Sequence, residues 1–418
     1  MEHDLIISGG KVVDGSGTAP IQADVGVKDG RISRIGDLSA DTAAETIDAT
    51  NKVVSPGFVD LHTHLDAQIG WDPMMSSSSY HGVTTAMIGN CGVTFAPCGP
   101  KNRRYLAELM EAVEDIAADA IMDGLPWDWN TYGEYLDSVQ ALNPALNIVG
   151  LVGHSSVRYE AMGDRSMDEG VQPDDKELAY ITKMVRESIE AGAVGFSTSR
   201  FLQHTVPDGR CTPGTWADLR ETKDIQEAVI AGGGVGAMFQ SANDMATRYE
   251  TELQMFRDGM DLGCQVLFSG GTGGQGDGGV GRWSEFLDAG NQDGKRIASI
   301  CHTRPSGAFF GLAQLSPFTR KSQTWRDLME LPTIQDRVKA MKNDKMRASL
   351  ISEGIDAGDM KALASMLHPF GTADLPDLDF DRKGSLAQLA EAEGKDPVEV
   401  YVDRLLAPEG RERFNIWM

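Results

Sequence analysis

"VVSPGFVDLHTHLD", residues 53–66, decides how this chain is read. Pro56-Gly57 closes one stretch of chain, and an apolar run then leads into His62-Thr63-His64. On a strand, residues i and i+2 point to the same side. His62 and His64 would therefore face one side, about 7 Å apart along the chain, where two imidazoles can converge on one cation. A purely structural histidine pair has the same spacing. A place at the end of the first strand of a β/α series favours the metal.

Such a series follows. Short apolar runs of buried-strand type occur at "GFVDLH" (57–62), "TTAMIGN" (84–90), "NIVGLVGH" (147–154), "AVGFSTS" (193–199), "VGAMFQS" (235–241), "QVLFS" (265–269) and "IASICHT" (297–303). Between several of them lie helical stretches such as "DKELAYITKMVRESIEAG", with apolar spacing near 3.6. Alternating β and α units predict a parallel sheet. Most of these strands end in a polar or reactive residue, which predicts a TIM-like (β/α)8 barrel with its site at the strand C-termini. No eighth strand of equal quality is found, and the chain beyond residue 305 reads as mainly helical. Upstream, "DLIISGGKVV" breaks at Gly9-Gly10, and Asp29-Gly30 sits between two alternating runs as a hairpin signal. The expected organisation is half of a small β-sandwich over residues 1–55, then an α/β barrel with helical insertions over 56–418, incomplete at its C-terminus.

Candidate chemistry gathers at the strand ends. Cys91, in "IGNCG", follows the second barrel strand, and a thiolate is a good Zn²⁺ ligand. An isolated cysteine is by default a buried small hydrophobe; proximity to the His-Xaa-His strand favours the ligand. Cys98, further along the loop, reads as structural. His154, His204 and His302 follow the third, fourth and seventh strands. Each can act as a ligand, a donor to substrate or a hydrogen-bonded loop residue; three on one barrel face favour pocket roles. His154 and His302 are assigned to catalysis and His204 to substrate binding. Arg158, Arg200 and Arg304 follow the same strands and can clamp a carboxylate or pair with nearby acids; they are assigned to the substrate. His3, His81 and His368 read as background. The run "SGGTGGQGDGGVGR" (269–282) contains Gly-Xaa-Gly-Xaa-Xaa-Gly, but its glycines continue to Gly281, so no helix opens inside the motif. A loop over the pocket is the better reading than a nucleotide site.

The bulk properties narrow the class. The chain has 418 residues, 41% hydrophobic, with no run near the roughly 18 apolar residues of a membrane span. The net charge of −24 repels a phosphate backbone, so a nucleic-acid partner is not expected. Five scattered cysteines and no signal-like N-terminus predict a cytoplasmic protein without a disulfide framework.

"DLIISGGKVVDGSG", "ADVGVKDGRISRIG", "IDATNKVVSPGFVDLHTHLD" and "GVTTAMIGNCG" together resemble the amidohydrolase superfamily, and within it the N-acyl-D-amino-acid deacylases. The likeness is dense over the first hundred residues and continues through "EAGAVGFSTSR" and "LAQLAEAEGKDPVEVYVDRLL". It implies hydrolysis of an amide-type C–N bond, in an N-acyl amino acid, cyclic amide or related carbonyl compound, by metal-activated water. It also implies His62, His64 and Cys91 as ligands of one or two Zn²⁺ or other divalent ions, the cysteine bridging two positions, and an aspartate on the eighth strand as general base. Two departures stand out. The strands expected to carry further metal-binding histidines end here in "AMFQSAND" and "VLFSGGTGG", and the aspartate-bearing last strand is absent. The expectation is a heteromer, in which a second polypeptide brings the last barrel strand, the general-base aspartate and the rest of the sandwich. Alternatives are a non-catalytic scaffold or regulatory subunit, or hydrolysis of C–C or ester bonds on the same barrel.

Overall fold

The computed structural model describes residues 2–114, 116–202, 204–206, 208–244, 247–269, 280–292, 294–300, 307–313, 316–319, 321–358, 360, 363–372, 384–406 and 409–417, the side chains of 280–284 and 417 excepted. Residues 2–54 form a five-stranded sheet from β1 (Glu2–Val12), β2 (Ile21–Lys28), β3 (Arg31–Gly36), β4 (Thr42–Asp48) and β5 (Val53–Val54). Its order is β3-β2-β1-β4, with β5 also on β1. Asp29 and Gly30 both take positive φ (51° and 69°), as the tight turn between antiparallel β2 and β3 requires. Gly9, at φ 69°, sits where the β1–β2 register slips, and its N–H donates to Asp24 Oδ1 at 2.7 Å. Ile21, Ile32, Ile35, Ile47 and Val53 of this sheet are exposed.

The expected parallel sheet is present. It comprises β6 (Phe58–Asp60), β7 (Val83–Ile88), β8 (Asn147–Gly153), β9 (Gly195–Ser199), β10 (Met238–Ala242), β11 (Gln265–Ser269) and β12 (Arg296–Ile300), hydrogen-bonded in sequence order. Every neighbouring pair is parallel. The result is a curled, seven-stranded TIM-like sheet, and each predicted strand overlaps an observed one.

Register sorts the two faces. Phe196, Phe239 and Val266 lie side by side on the outer face and belong to the main apolar core. Ser197, Gln240 and Leu267 occupy the next register level and point to the other face. Helices cover the outer face. Asp175–Glu190 buries Leu178, Ile181, Val185 and Ile189, the stripe its spacing predicts. It starts at a capping box in which the Asp174 carboxylate accepts from the Glu177 N–H and Glu177 reaches back to the Asp174 N–H. At the sheet's first edge, Phe58 and Val59 stay 60% and 57% exposed, because no described strand pairs with the far side of β6.

Beyond residue 306 the structure departs from the helical expectation. Helices do form at Gln323–Met329, Ile334–Met341, Asp344–Ala357, Leu386–Glu393 and Pro397–Leu406. They pack around a separate apolar core that includes Phe318, Trp325, Tyr401 and Phe414. The same core takes in β13 (Gly307–Gly311), β14 (Leu367–Gly371) and β15 (Arg413–Trp417), an antiparallel sheet in the order β13-β15-β14. These strands escaped the sequence reading because each has five residues, β13 and β14 carry glycine, and β14 also carries Pro369.

Candidate metal centre

β6 is shorter than expected. It stops at Asp60, so His62 and His64 lie just past the strand rather than on it. Their alternation survives because the intervening residue is tied down. The Thr63 N–H and Oγ1–H both donate to Met87 O of β7, at 3.3 and 2.7 Å. The two imidazoles therefore sit together, with ring centroids 5.4 Å apart.

Cys91 reaches them from a tight turn after β7. Gly89, Cys91 and Gly92 all have positive φ (77°, 55° and 72°). At Gly89 a side chain is impossible, since a Cβ would lie 2.1 Å from Leu151 O. Inward side chains of the parallel sheet hold the turn. The Cys91 N–H donates to Gln240 Oε1 at 3.1 Å, the Gly92 N–H donates to Ser197 Oγ at 3.0 Å, and the Ser197 hydroxyl donates to Gly89 O. Asn90 Nδ2 donates to Thr63 O and Met87 O, locking the turn to the histidine segment. The Asp66 carboxylate accepts from the Gly89 N–H at 2.8 Å.

This framework brings Cys91 Sγ to 3.1 Å from His62 Nε2. One potential ligand atom from each of His62, His64 and Cys91 lies within 4.8 Å of the others. Among the described residues it is the one cluster of three or more His, Cys, Asp or Glu with such spacing. Burial, followed by the charges of His62 and His204, pushes His64 down to about 3. Burial and His62 likewise push His204 down to about 4. Burial, Glu114 and Asp66 push the Cys91 thiol far above its usual range. Asp66 is pushed up to about 7, chiefly by burial. The site thus offers a neutral His64 imidazole with an available lone pair, and a thiol that ionises when a cation takes the place of its proton.

Two described residues here escaped the sequence reading. Glu114, the last residue of the helix Arg103–Glu114, lies with Oε1 3.4 Å from His64 Nε2. Nothing in "RRYLAELMEAVE" separates it from an ordinary acid on an amphipathic helix. Gln240 had a visible signal, since it stands in the fifth strand end where histidine was expected.

The other assignments fare differently. His204 lies beside the centre, with Nδ1 2.8 Å from Ser199 Oγ. His154 is at odds with its catalytic assignment. It is fully buried between the sheet and the helices, with Nδ1 2.9 Å from Thr198 Oγ1 and Nε2 2.9 Å from Glu221 Oε1. Arg158 is likewise withdrawn from substrate. Its Nε donates to Glu221 Oε1 at 2.8 Å, and its remaining nitrogens donate to Ser166 O and Val171 O. Arg200 is buried against Glu252 Oε1 at 2.7 Å and Ala217 O at 2.6 Å. Both guanidiniums neutralise buried carboxylates behind the strand ends, which leaves no fork for a ligand. His302 and Arg304 lie outside the described residues, as does most of the glycine-rich run. Cys98 keeps its structural reading: it is buried, and its Sγ–H donates to Gly99 O at 3.3 Å.

A curled parallel sheet with a His-Xaa-His pair past its first strand and a cysteine past its second defines a TIM-like barrel of the amidohydrolase type. The sequence model described as "Amidohydrolase family" matches residues 45–379, and the chain belongs to that family. Its relatives include the N-acyl-D-glutamate deacylase of Alcaligenes xylosoxydans xylosoxydans, 34% identical over 232 residues, covering 56% of this chain and 42% of that protein. The D-aminoacylase of the same organism is 32% identical over 269 residues, covering 64% of this chain and 50% of that one. These matches span about two fifths to half of the relatives' length. Among solved structures, the N-acyl-D-glutamate deacylase from Bordetella bronchiseptica, complexed with zinc and a phosphonate inhibitor, superposes with a TM-score of 0.61 at 24% identity. That alignment covers 100% of this chain and 72% of the other, and it supports the fold. These relatives lend no support to a non-catalytic scaffold.

Proposed function

We propose that this chain forms the metal-binding wall of a hydrolase that cleaves the amide C–N bond of an N-acyl amino acid, with N-acyl-D-amino acids as the first substrates to try. The observation that carries this reading is the convergence of His62, His64 and Cys91 at the sheet's C-terminal end. The donors fit a metal. Two imidazoles and a thiol suit Zn²⁺, and His64 Nδ1 is buried with no hydrogen-bond partner, as an atom reserved for a ligand would be. A bound divalent ion supplies Lewis-acid polarisation of the scissile carbonyl and activation of water.

The chain's own residues hold that centre and shape its surroundings. The Gly89–Gly92 turn presents Cys91, Thr63 orients the two histidines, and His204 stays neutral beside them as a hydrogen-bonding group for the substrate. His302 and Arg304 are proposed as further site residues from sequence alone.

The general base is proposed to come from a second polypeptide that supplies the last barrel strand and an aspartate. The exposed β6 edge, with Phe58, Val59 and Leu61 in solvent, supports this heteromer. Division into a sandwich half (1–55) and a barrel (56–418) remains the proposed organisation, with the core beyond residue 306 as a helical and antiparallel addition. Cys91, Cys98 and Cys264 are free thiols, which suits a reducing cytoplasm. No described helix is long and apolar enough to cross a membrane.

Zinc analysis and hydrolysis of an N-acetyl-D-amino-acid panel test the reading. About one tightly bound zinc is expected, lost together with activity in the His62→Ala/His64→Ala variant. Absence of metal under every purification condition overturns it. A stable, active monomer of this chain alone overturns the second polypeptide and leaves the metal centre standing.

A further inference from the structure

The thiol of Cys91 can bind one ion or bridge two, and the resemblance to the deacylases allows both. A second ion needs donors of its own beside the thiol, and the strands after β7 are where they would stand. The described inward positions of those strands hold none. At the register level of Gln240 stand Gly153, Ser197, Leu267 and Ala298, on β8, β9, β11 and β12. One level nearer the strand ends stand Ser199, Ala242, Ser269 and Ile300. None is a histidine, a cysteine or a carboxylate, the side chains that bind Zn²⁺.

Most polar atoms at these levels are already committed. Ser197 Oγ accepts the Gly92 N–H, and its hydroxyl donates to Gly89 O. Ser199 Oγ lies 2.8 Å from His204 Nδ1. Ser269 Oγ is buried without a partner, but a neutral hydroxyl is outside the usual zinc ligand set. Gln240 decides the matter. An N–H can only donate, so the amide atom 3.1 Å from the Cys91 N–H is the oxygen. That oxygen is the one atom of a glutamine side chain that can hold a cation, and it is spent on the turn. The other end, Nε2, is a donor; it is buried and has no hydrogen-bond partner. Turning the amide over to free the oxygen would set donor against donor in a buried place. The turn itself lies directly on the neighbouring strands: a Cβ at Gly153 would lie 2.6 Å from Gly92 O, and one at Gly92 3.0 Å from Ser199 N.

We infer that the centre holds a single ion and that Gln240 sets that number, its oxygen bound to the turn and its donor nitrogen standing where a second cation would need a ligand. The inference rests on the proposed metal centre and departs from the two-ion arrangement with a bridging cysteine.

The test uses the full chain, made metal-free and then loaded with Zn²⁺ or Co²⁺. Elemental analysis after dialysis is expected to give about one ion per wild-type chain, and the cobalt form an uncoupled spin signal. Gln240→Glu keeps an acceptor for the Cys91 N–H and replaces Nε2 by a carboxylate oxygen. It is expected to take up a second ion, with the two cobalt spins coupled through the shared thiolate. Gln240→Leu adds no oxygen and is expected to stay at one. Melting temperatures of the metal-free proteins identify a variant that fails to fold; Gln240→His, which brings an imidazole to the same place, then stands in for Gln240→Glu. Two ions with coupled spins in the wild type overturn the inference while the metal centre stands, as does a folded Gln240→Glu that stays at one ion. A wild-type chain that takes up no metal overturns the metal centre itself, and this inference with it.

Discussion

The side chain of Gln240, on the fifth parallel strand, accepts a 3.1 Å hydrogen bond from the backbone N–H of Cys91, 149 residues earlier in the chain. The bond is buried, and it holds a cysteine whose φ of 55° lies in the left-handed region. Gln240→Leu leaves that N–H unpaired. The expected cost is about 1–3 kcal/mol of stability, with zinc affinity several-fold lower because the turn loosens. Gln240→Glu keeps an acceptor and should retain more of the affinity. Melting curves with and without zinc check both.

The cluster of His154, Arg158 and Glu221 makes a separate prediction. If Arg158 neutralises Glu221 rather than a substrate, Arg158→Met strands a buried carboxylate and lowers stability by about 3–5 kcal/mol. Chemical unfolding reads the loss. A variant as stable as wild type but with a raised KM would restore the substrate role.

Acid should destabilise the metal-free protein earlier than its carboxylates alone require. His64, His154 and His204 are all held below the ordinary histidine value of 6.5, each chiefly by burial. Their unfolded forms take up protons below that pH while the folded forms refuse them. Stability is therefore full above about pH 6.5 and falls as pH drops toward the folded values, by up to about 1.4 kcal/mol per unit for each histidine. Glu221 adds to the fall at lower pH. Burial favours its neutral form, but hydrogen bonds from His154 and Arg158 outweigh this and hold it below its usual value. Melting temperature between pH 5 and 8 checks the sign, and zinc should flatten the curve.

Zinc uptake near neutral pH should release about one proton, from Cys91, whose thiol burial and nearby carboxylates keep protonated. Affinity then rises about tenfold per pH unit. Calorimetry in two buffers of different ionisation enthalpy counts the proton. Cys91→Ser should abolish the release.

The parallel sheet was legible in the sequence because buried β/α strands are short unbroken apolar runs, and seven such runs mark it. His62, His64 and Cys91 were legible because strand ends are where such a sheet exposes side chains. The buried roles of Arg158 and Arg200 were not, since a strand-end arginine looks the same whether it faces a cleft or an acid on a neighbouring helix. Glu221 and Glu252, their partners, lie 63 and 52 residues downstream. Glu114 was hidden for the same reason, since His64, against which it lies, is 50 residues away in sequence. The antiparallel sheet beyond residue 306 went unseen because five-residue strands with glycine or proline carry too little pattern.

β15 occupies the middle of that sheet, between β13 and β14. Phe310 must wait for Phe414, and Leu367 for Ile416. During synthesis, which runs at about 5–20 residues per second, both outer strands leave the ribosome with no sheet partner among the described residues. The second core can close around its sheet only after residues 413–417 emerge. The first core, whose strands pair in the order they are made, is under no such delay. A ribosome stalled shortly before residue 413 would therefore hold a chain with one half able to pair its sheet and the other exposing Phe310 and Phe370, a substrate for chaperones rather than a folding intermediate on its way to completion.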